Sequence, residues 1–236
     1  MQIIKQITNW SLHTLFPKYC VSCHKPDTAL CSGCFKEIVF IKQQQCGRCL
    51  KKNTLGKTCP KCKKYWPLDN LLVATYYQDG PIKEIIHTYK YGGRKDLLPD
   101  FMKIIEHNRI ICDFLNNLHE EVIIIPVPLH FRRRWWRGFN QSEEIAHKIS
   151  GKYNVPIRID ILKRVKHTKI QVSLHRQDRI KNLDDAFISK ACLPCNASVI
   201  LIDDIATTGA TLNACARVLK KAGVKHIWGL VIARAF

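Results

Sequence analysis

The passage Val199-Ile-Leu-Ile-Asp-Asp-Ile-Ala-Thr-Thr-Gly-Ala-Thr211 constrains this chain more than any other. Its apolar start, Val199 to Ile202, has the length and branching of a buried parallel strand. The run ends on two carboxylates, Asp203 and Asp204. A small loop follows, made of Ala206, Thr207, Thr208, Gly209, Ala210 and Thr211, and then a helical pattern from Leu212 to Leu219. Strand, loop and helix start in that order make an anion site, because first-turn N–H groups lack partners within their helix and point at the loop. Adjacent carboxylates can accept from the two hydroxyls of a ribose. The passage therefore predicts a ribose 5-phosphate site, with phosphate in the loop and ribose over the acidic pair. Its surroundings agree: strands and helices alternate before it, and a final apolar strand, Ile227 to Ala233, follows.

The cysteines divide the chain. Eight of twelve fall in four CxxC pairs, Cys20/Cys23, Cys31/Cys34, Cys46/Cys49 and Cys59/Cys62. Such pairs beside an αβ domain argue for metal over a disulfide framework. Zinc takes four tetrahedral ligands in a structural site, and each CxxC turn presents two thiolates. Sequential pairing is preferred because each half is then compact; spacing alone also admits an interleaved pairing. An iron–sulfur cluster ranks below zinc, because neither its usual spacing nor a following Cys-Pro is present. The two ions have a folding role, since so short a segment holds few large aliphatics. Cys192 and Cys195 form a fifth CxxC spacing with no second pair near it, and Cys112 and Cys215 read as core thiols.

At 236 residues the chain can hold one full domain and a smaller one, and its 46% apolar content is ordinary for a globular protein. Its formal charge of +19 is not. Such a charge points to a polyanionic partner, nucleic acid first and an anionic membrane surface second. No stretch reaches the roughly 20 apolar residues that span a bilayer. Residues 1–18 lack a signal-peptide core or cleavage site and read as a short amphipathic helix, docked on the protein or touching a membrane peripherally. The expected location is cytoplasmic. Residues 1–66 carry 12 Lys/Arg against 2 Asp/Glu, so the cysteine module stays basic after metal loading.

Further along, Leu71 to Tyr77 and Glu121 to Leu129 read as strands. Lys90, Arg94 and Lys95 around Gly92-Gly93 read equally as a phosphate contact or a solvated turn. The segment His130-Phe-Arg-Arg-Arg-Trp-Trp-Arg-Gly-Phe-Asn140 reads as a loop displayed at a strand's carboxyl end, where open αβ sheets place ligands. Arg137 and the Gly138 turn could hold pyrophosphate. Arg132, Arg133, Arg134, Trp135 and Trp136 could form a stacking platform for single-stranded nucleic acid. A solvated loop with one Trp packed inward is the plainer alternative. A helix from Gln141 to about Lys152 follows. The polar excursion after Arg164 reads as a lid, with Gln171, Arg179 and Asn182 as its notable side chains.

Taken together, Asp203 to Thr211 resembles the phosphoribosyl-pyrophosphate signature of type I phosphoribosyltransferases. The paired CxxC module, Pro126-Val-Pro with Arg137-Gly-Phe-Asn-Gln141, and the Gln171, Arg179, Asn182, Phe187 series resemble the ComF family of competence proteins. The resemblance implies an α/β fold, a type I phosphoribosyltransferase-like parallel sheet flanked by helices, with a small N-terminal double zinc ribbon. The expected divisions are an N-terminal helix over 1–18, the double ribbon over 19–66 and the phosphoribosyltransferase-like domain over 67–236. It further implies Mg2+, phosphoribosyl pyrophosphate as substrate or ligand, and a role with single-stranded DNA in natural transformation, beside a DNA-uptake or helicase partner. Catalysis stays open. Thr207 stands where purine-salvage members of the fold carry an aspartate, while orotate-type members also lack that acid. The alternative to a DNA-handling protein is a working transferase that passes phosphoribose to a nitrogen base.

Overall fold

The computed structural model describes residues 18–118, 121–166, 185–190, 193 and 197–235. Residues 1–17 of the expected N-terminal helix, the trio Gln171, Arg179 and Asn182, and the Cys192/Cys195 spacing lie outside them. In chain order the elements are α1 (Ser32–Lys36), α2 (Pro60–Lys63), β1 (Asn70–Tyr76), α3 (Pro81–Tyr91), a 3-10 turn (Lys95–Leu97), α4 (Leu98–His107), α5 (Arg109–Asn116), β2 (Val122–Pro126), α6 (Phe131–Arg137), α7 (Gln141–Tyr153), β3 (Leu162–Arg164), β4 (Phe187–Ser189), β5 (Ser198–Ala206), α8 (Ala210–Lys221) and β6 (His226–Arg234).

Four strands form one parallel sheet in the order β1-β6-β5-β2, and β3 and β4 form an antiparallel pair. Side chains alternate across the parallel sheet, so both of its faces must be covered. Ile200 and Ile202 of β5 join Leu72, Ile124 and Leu230 on one face, against Ile85 of α3, Ile104 of α4 and Ile145 of α7. Val199 and Leu201 join Val73, Ile125 and Val231 on the other, against Leu212 and Leu219 of α8 and Phe187 of β4. Each fully buried aliphatic adds about 1.5–3 kcal/mol of transfer free energy.

An open parallel edge would leave β1 with unpaired N–H and C=O groups. The cysteine module covers it. Ile41 N–H donates to the Ala74 carbonyl (3.0 Å), Tyr76 N–H to Val39 (3.1 Å) and Leu71 N–H to Gly56 (2.9 Å). The Gln44 amide donates to the Val73 carbonyl and accepts from the Val73 N–H, both at 3.0 Å. Gly56 is required here: its φ is +64°, and a Cβ on it would stand 1.9 Å from the Leu71 carbonyl oxygen.

Two sequence expectations need correction. β5 does not end on the carboxylates but runs to Ala206, because β6 stays in register beside it, pairing Asp203 with Val231 and Ala206 with Arg234. The Arg/Trp segment is helix α6 and not a loop. His130 caps its start, with Nδ1 accepting from Arg132 N–H (3.4 Å), and Gly138 at φ +77° ends it.

Candidate functional site

The four CxxC turns gather into two sets. In each, Cys20, Cys23, Cys31 and Cys34 or Cys46, Cys49, Cys59 and Cys62, the sulfurs lie within 4.8 Å of one another. Tetrahedral zinc with bonds of about 2.3 Å separates its sulfurs by about 3.8 Å, so the donor sets fit one ion each and the pairing is sequential. Burial opposes ionisation of Cys20, yet the N–H groups of Cys23, Cys31 and Ser22 bring its thiol down to about 6. Cys46 likewise falls to about 6 against burial, through the N–H groups of Cys49, Cys59 and Arg48. Burial, together with neighbouring cysteines, pushes Cys34 and Cys62 up to about 12. Four thiolates so close need a cation among them.

At the carboxyl end of β5 the acidic pair is held by hydrogen bonds and one ion pair. Asp203 Oδ1 accepts from Ser142 Oγ (2.9 Å) and from the Asp204 N–H (2.9 Å). Asp204 Oδ1 accepts from the Ile205 N–H (2.7 Å), and its Oδ2 lies 2.8 Å from Lys90 Nζ. Burial and the Asp204 charge push the Asp203 carboxyl up to about 7, while Lys90 pulls it back. Lys90 is thus not a solvated cation; it is the counter-ion of the pair. It sits there because α3 runs through Lys90 to Tyr91 before Gly92 caps it. Arg94 forms a two-pronged pair with Asp96 (2.8 Å each), and Lys95 reaches Glu144 (3.2 Å).

Beyond the pair, Thr207 is exposed and Thr208 half-buried. Thr208 Oγ1 accepts from the Ala210 N–H (3.3 Å), and Gly209, at φ +71°, supplies the N-cap of α8 without a side chain. Ala206 and Ala210 are buried, and Thr211 is half-buried beside them. The loop and the first turn of α8 therefore place backbone N–H groups next to two carboxylates.

The stretch before α7 brings α6 to the same edge. Phe139 is buried on Tyr89 (5.2 Å between ring centroids). Asn140 caps α7 and donates to the Val127 carbonyl (3.1 Å), which sets Ser142 against Asp203. Arg137 lies over the Tyr91 ring (4.9 Å) and donates to Gln141 (3.1 Å), and Gly138 serves as the cap of α6. Trp135 and Trp136 are 86% and 66% exposed, which overturns the alternative of one Trp packed inward. Trp136 lies 5.9 Å from Tyr91, and Arg134 pairs with Glu143 (3.3 Å). Arg132 is exposed and Arg133 half-buried on the same helix. The last turn of α3 thus joins the two regions, Lys90 to the acidic pair and Tyr91 to the aromatic face. Sequence reasoning missed Ser142 and the pairing of Lys90; the Asn-Gln-Ser helix start was the available signal for the first.

A parallel sheet that gathers a phosphate-loop helix and paired carboxylates at one edge, behind two four-thiolate knuckles, defines a phosphoribosyltransferase-fold domain with a double zinc ribbon. Two families match in that order, the double zinc ribbon domain over residues 11–63 and the phosphoribosyl transferase domain over residues 114–234. The chain is 33% identical to competence protein F of Haemophilus influenzae, over 91% of this chain and 96% of that protein. It is 27% identical to competence protein ComFC of Streptococcus pneumoniae, over 85% and 86%. It is 26% identical to the DNA utilization protein YhgH of Escherichia coli (strain K12), over 89% and 87%. The chain belongs to the competence protein F (ComF) family. Among the described residues no helix is long and apolar enough to cross a membrane.

Proposed function

We propose that this chain is a cytoplasmic competence protein that handles single-stranded DNA during natural transformation and binds phosphoribosyl pyrophosphate with Mg2+ at the Asp203–Thr211 site. The observation that carries the ligand assignment is the acidic pair, oriented by Ser142 and Lys90, standing beside the Gly209-capped start of α8. Asp203 and Asp204 accept from the ribose hydroxyls; the Thr207 and Thr208 hydroxyls and the first-turn N–H groups take the 5-phosphate. Carboxylate oxygens suit Mg2+, which would neutralise charge on the pyrophosphate when bound. Lys90 offsets part of the repulsion between the two adjacent carboxylates. The names of the relatives, with the exposed aromatic and arginine face of α6, support the DNA reading. A DNA-uptake or helicase component is the partner such a role calls for.

A working phosphoribosyltransferase is the second reading, favoured by the intact loop and acidic pair. Its test is pyrophosphate release on mixing with nitrogen bases.

The first experiment is calorimetric titration of zinc-loaded protein with phosphoribosyl pyrophosphate and Mg2+, with Asp203→Asn/Asp204→Asn as control. Micromolar binding that the control loses is the expected result. Folded wild-type protein that binds nothing would overturn the ligand assignment.

A further inference from the structure

A cleft of about 930 Å3 lies where the second ribbon meets the phosphate loop, large among the roughly 300–1,000 Å3 of single-ligand pockets. One wall is ribbon, with Arg48 from the Cys46–Cys49 turn and Lys64, Tyr65 and Trp66 from the segment leaving Cys62. The other is Thr208 of the loop with Asn213 and Arg217 of α8. Among the described residues no carboxylate lines it.

Three observations specify what the cleft suits. The first is charge. Cys46 to Trp66 carries seven Lys/Arg and no Asp/Glu, whereas Lys18 to Gln45 carries four and two. A four-thiolate zinc contributes −2 and leaves the second ribbon at about +5, so the basic character of the module is concentrated on the half that forms this wall. The second is an aromatic face. Tyr65 is 57% exposed, with the Arg48 guanidinium 4.6 Å from its ring centroid. The third is a pair of unmatched polar groups. Trp66 and Asn213 are 4% and 3% exposed, and neither Trp66 Nε1 nor Asn213 Oδ1 has a hydrogen-bond partner. A buried donor and a buried acceptor left open are rare and costly unless a ligand completes them. Cations for phosphates and an exposed ring for stacking together fit a single-stranded nucleic acid, and the unmatched donor and acceptor lie in the buried wall behind them.

The cleft also touches the phosphate loop. A Cβ on Gly209 would stand 3.0 Å from Trp66 Cζ2 and Cη2, so the indole and the N-cap of α8 are in contact. Anything that moves Trp66 moves the cap whose neighbours take the phosphate.

We propose that this cleft is a single-stranded DNA site, separate from the α6 face, and that Trp66 couples its occupancy to the phosphate loop. The proposal rests on the reading that the chain handles single-stranded DNA and assigns the second ribbon a direct part in it.

The test uses full-length zinc-loaded protein and fluorescein-labelled oligo(dT), read by anisotropy. Tyr65→Ala/Lys64→Ala is the variant, and its zinc content reports whether the ribbon is intact. The variant is expected to bind about tenfold more weakly, because one base loses its stacking partner and one phosphate its cation. Photocrosslinking with 4-thiothymidine is expected to label the segment around Tyr65. Phosphoribosyl pyrophosphate with Mg2+ is expected to shift the wild-type affinity, and the oligonucleotide to shift sugar-phosphate affinity by the same factor. An intact variant that binds within twofold of wild type, or crosslinks confined to α6, overturns the cleft while leaving DNA handling in place. Absence of any oligo(dT) binding by wild type overturns DNA handling itself, and the cleft with it. Affinity indifferent to the sugar phosphate overturns the coupling.

Discussion

Replacing Lys90 with Met is the most direct probe of the acidic pair. Lys90 Nζ lies 2.8 Å from Asp204 Oδ2, and the two side chains are only 16% and 10% exposed. At an effective dielectric of about 20, an ion pair this short is worth about 6 kcal/mol of Coulomb energy before desolvation is subtracted. Removing one partner of a buried pair costs about 3–5 kcal/mol, and the residual exposure here places the loss near the lower figure. For a chain of this size about 3 kcal/mol corresponds to a drop of roughly 6–12 °C in Tm. The sign with pH is also set. The folded Asp203 carboxyl is raised to about 7 by burial and by Asp204, above its unfolded value, so its contribution to stability is present in acid and is lost as pH rises toward 7. Lys90 opposes that rise, so the deficit of Lys90→Met is larger at pH 8 than at pH 5. The assay is thermal melting in zinc-containing, Mg2+-free buffer, with Lys90→Met/Asp204→Asn completing a double-mutant cycle. The double variant should recover most of the loss. A single variant melting within about 2 °C of wild type would refute the reasoning, as would a double variant as unstable as the single one.

Gly56→Ala should lower stability by at least about 2 kcal/mol and expose the Gly56–Asn70 segment to limited proteolysis, because its Cβ cannot share space with the Leu71 carbonyl; an unchanged melt and digest would contradict this. Cys49→Ser should leave one tightly held zinc per chain, since the two four-thiolate sets share no ligand; zinc release measured with a chromogenic chelator would instead show both sites weakened if the pairing interleaved. Arg132→Ala/Arg133→Ala/Trp135→Ala/Trp136→Ala should weaken oligo(dT) binding and reduce its salt slope by about 1.4, at about 0.7 for each phosphate no longer neutralised by an arginine. An unchanged slope would remove α6 from the DNA surface.

Part of this molecule was legible in its sequence for a simple reason. Val199 to Ile202 is covered on both faces, so its apolar run needs no partner to be recognised. The continuation to Ala206 was not legible, because carboxylates inside a strand contradict the pattern of a buried one; register with β6 overrides it. The two cysteine sets were legible as ligands through their spacing, but spacing admits two pairings and only the folded geometry selects one. Lys90 was hidden because its partner lies on a distant strand and its neighbours Gly92-Gly93 suggest a turn. The seven residues of α6 hold no apolar period, since all its large apolar residues face solvent. His130 before it and Gly138 after it were the only helix signals present.

The position of the ribbon follows from the sheet and explains why the cysteine module and the Asp203–Thr211 segment belong to one body. β1 is an edge strand whose one sheet neighbour is β6, so something must cover its other side. The segment between the knuckles does so, and the Cys46–Cys49 turn reaches past β1 to β6, where Arg234 donates to the Gly47 carbonyl. β6 pairs in turn with β5, the strand that carries the acidic pair. Trp66 leaves the second knuckle at the same end of the sheet and packs on Gly209. Zinc is therefore connected to the phosphate loop by one turn, one arginine and one indole. Loss of the second ion should be felt at the loop before it is felt in the core around Ile200, which packs with Leu30 and Ile38 of the first ribbon and with no residue of the second.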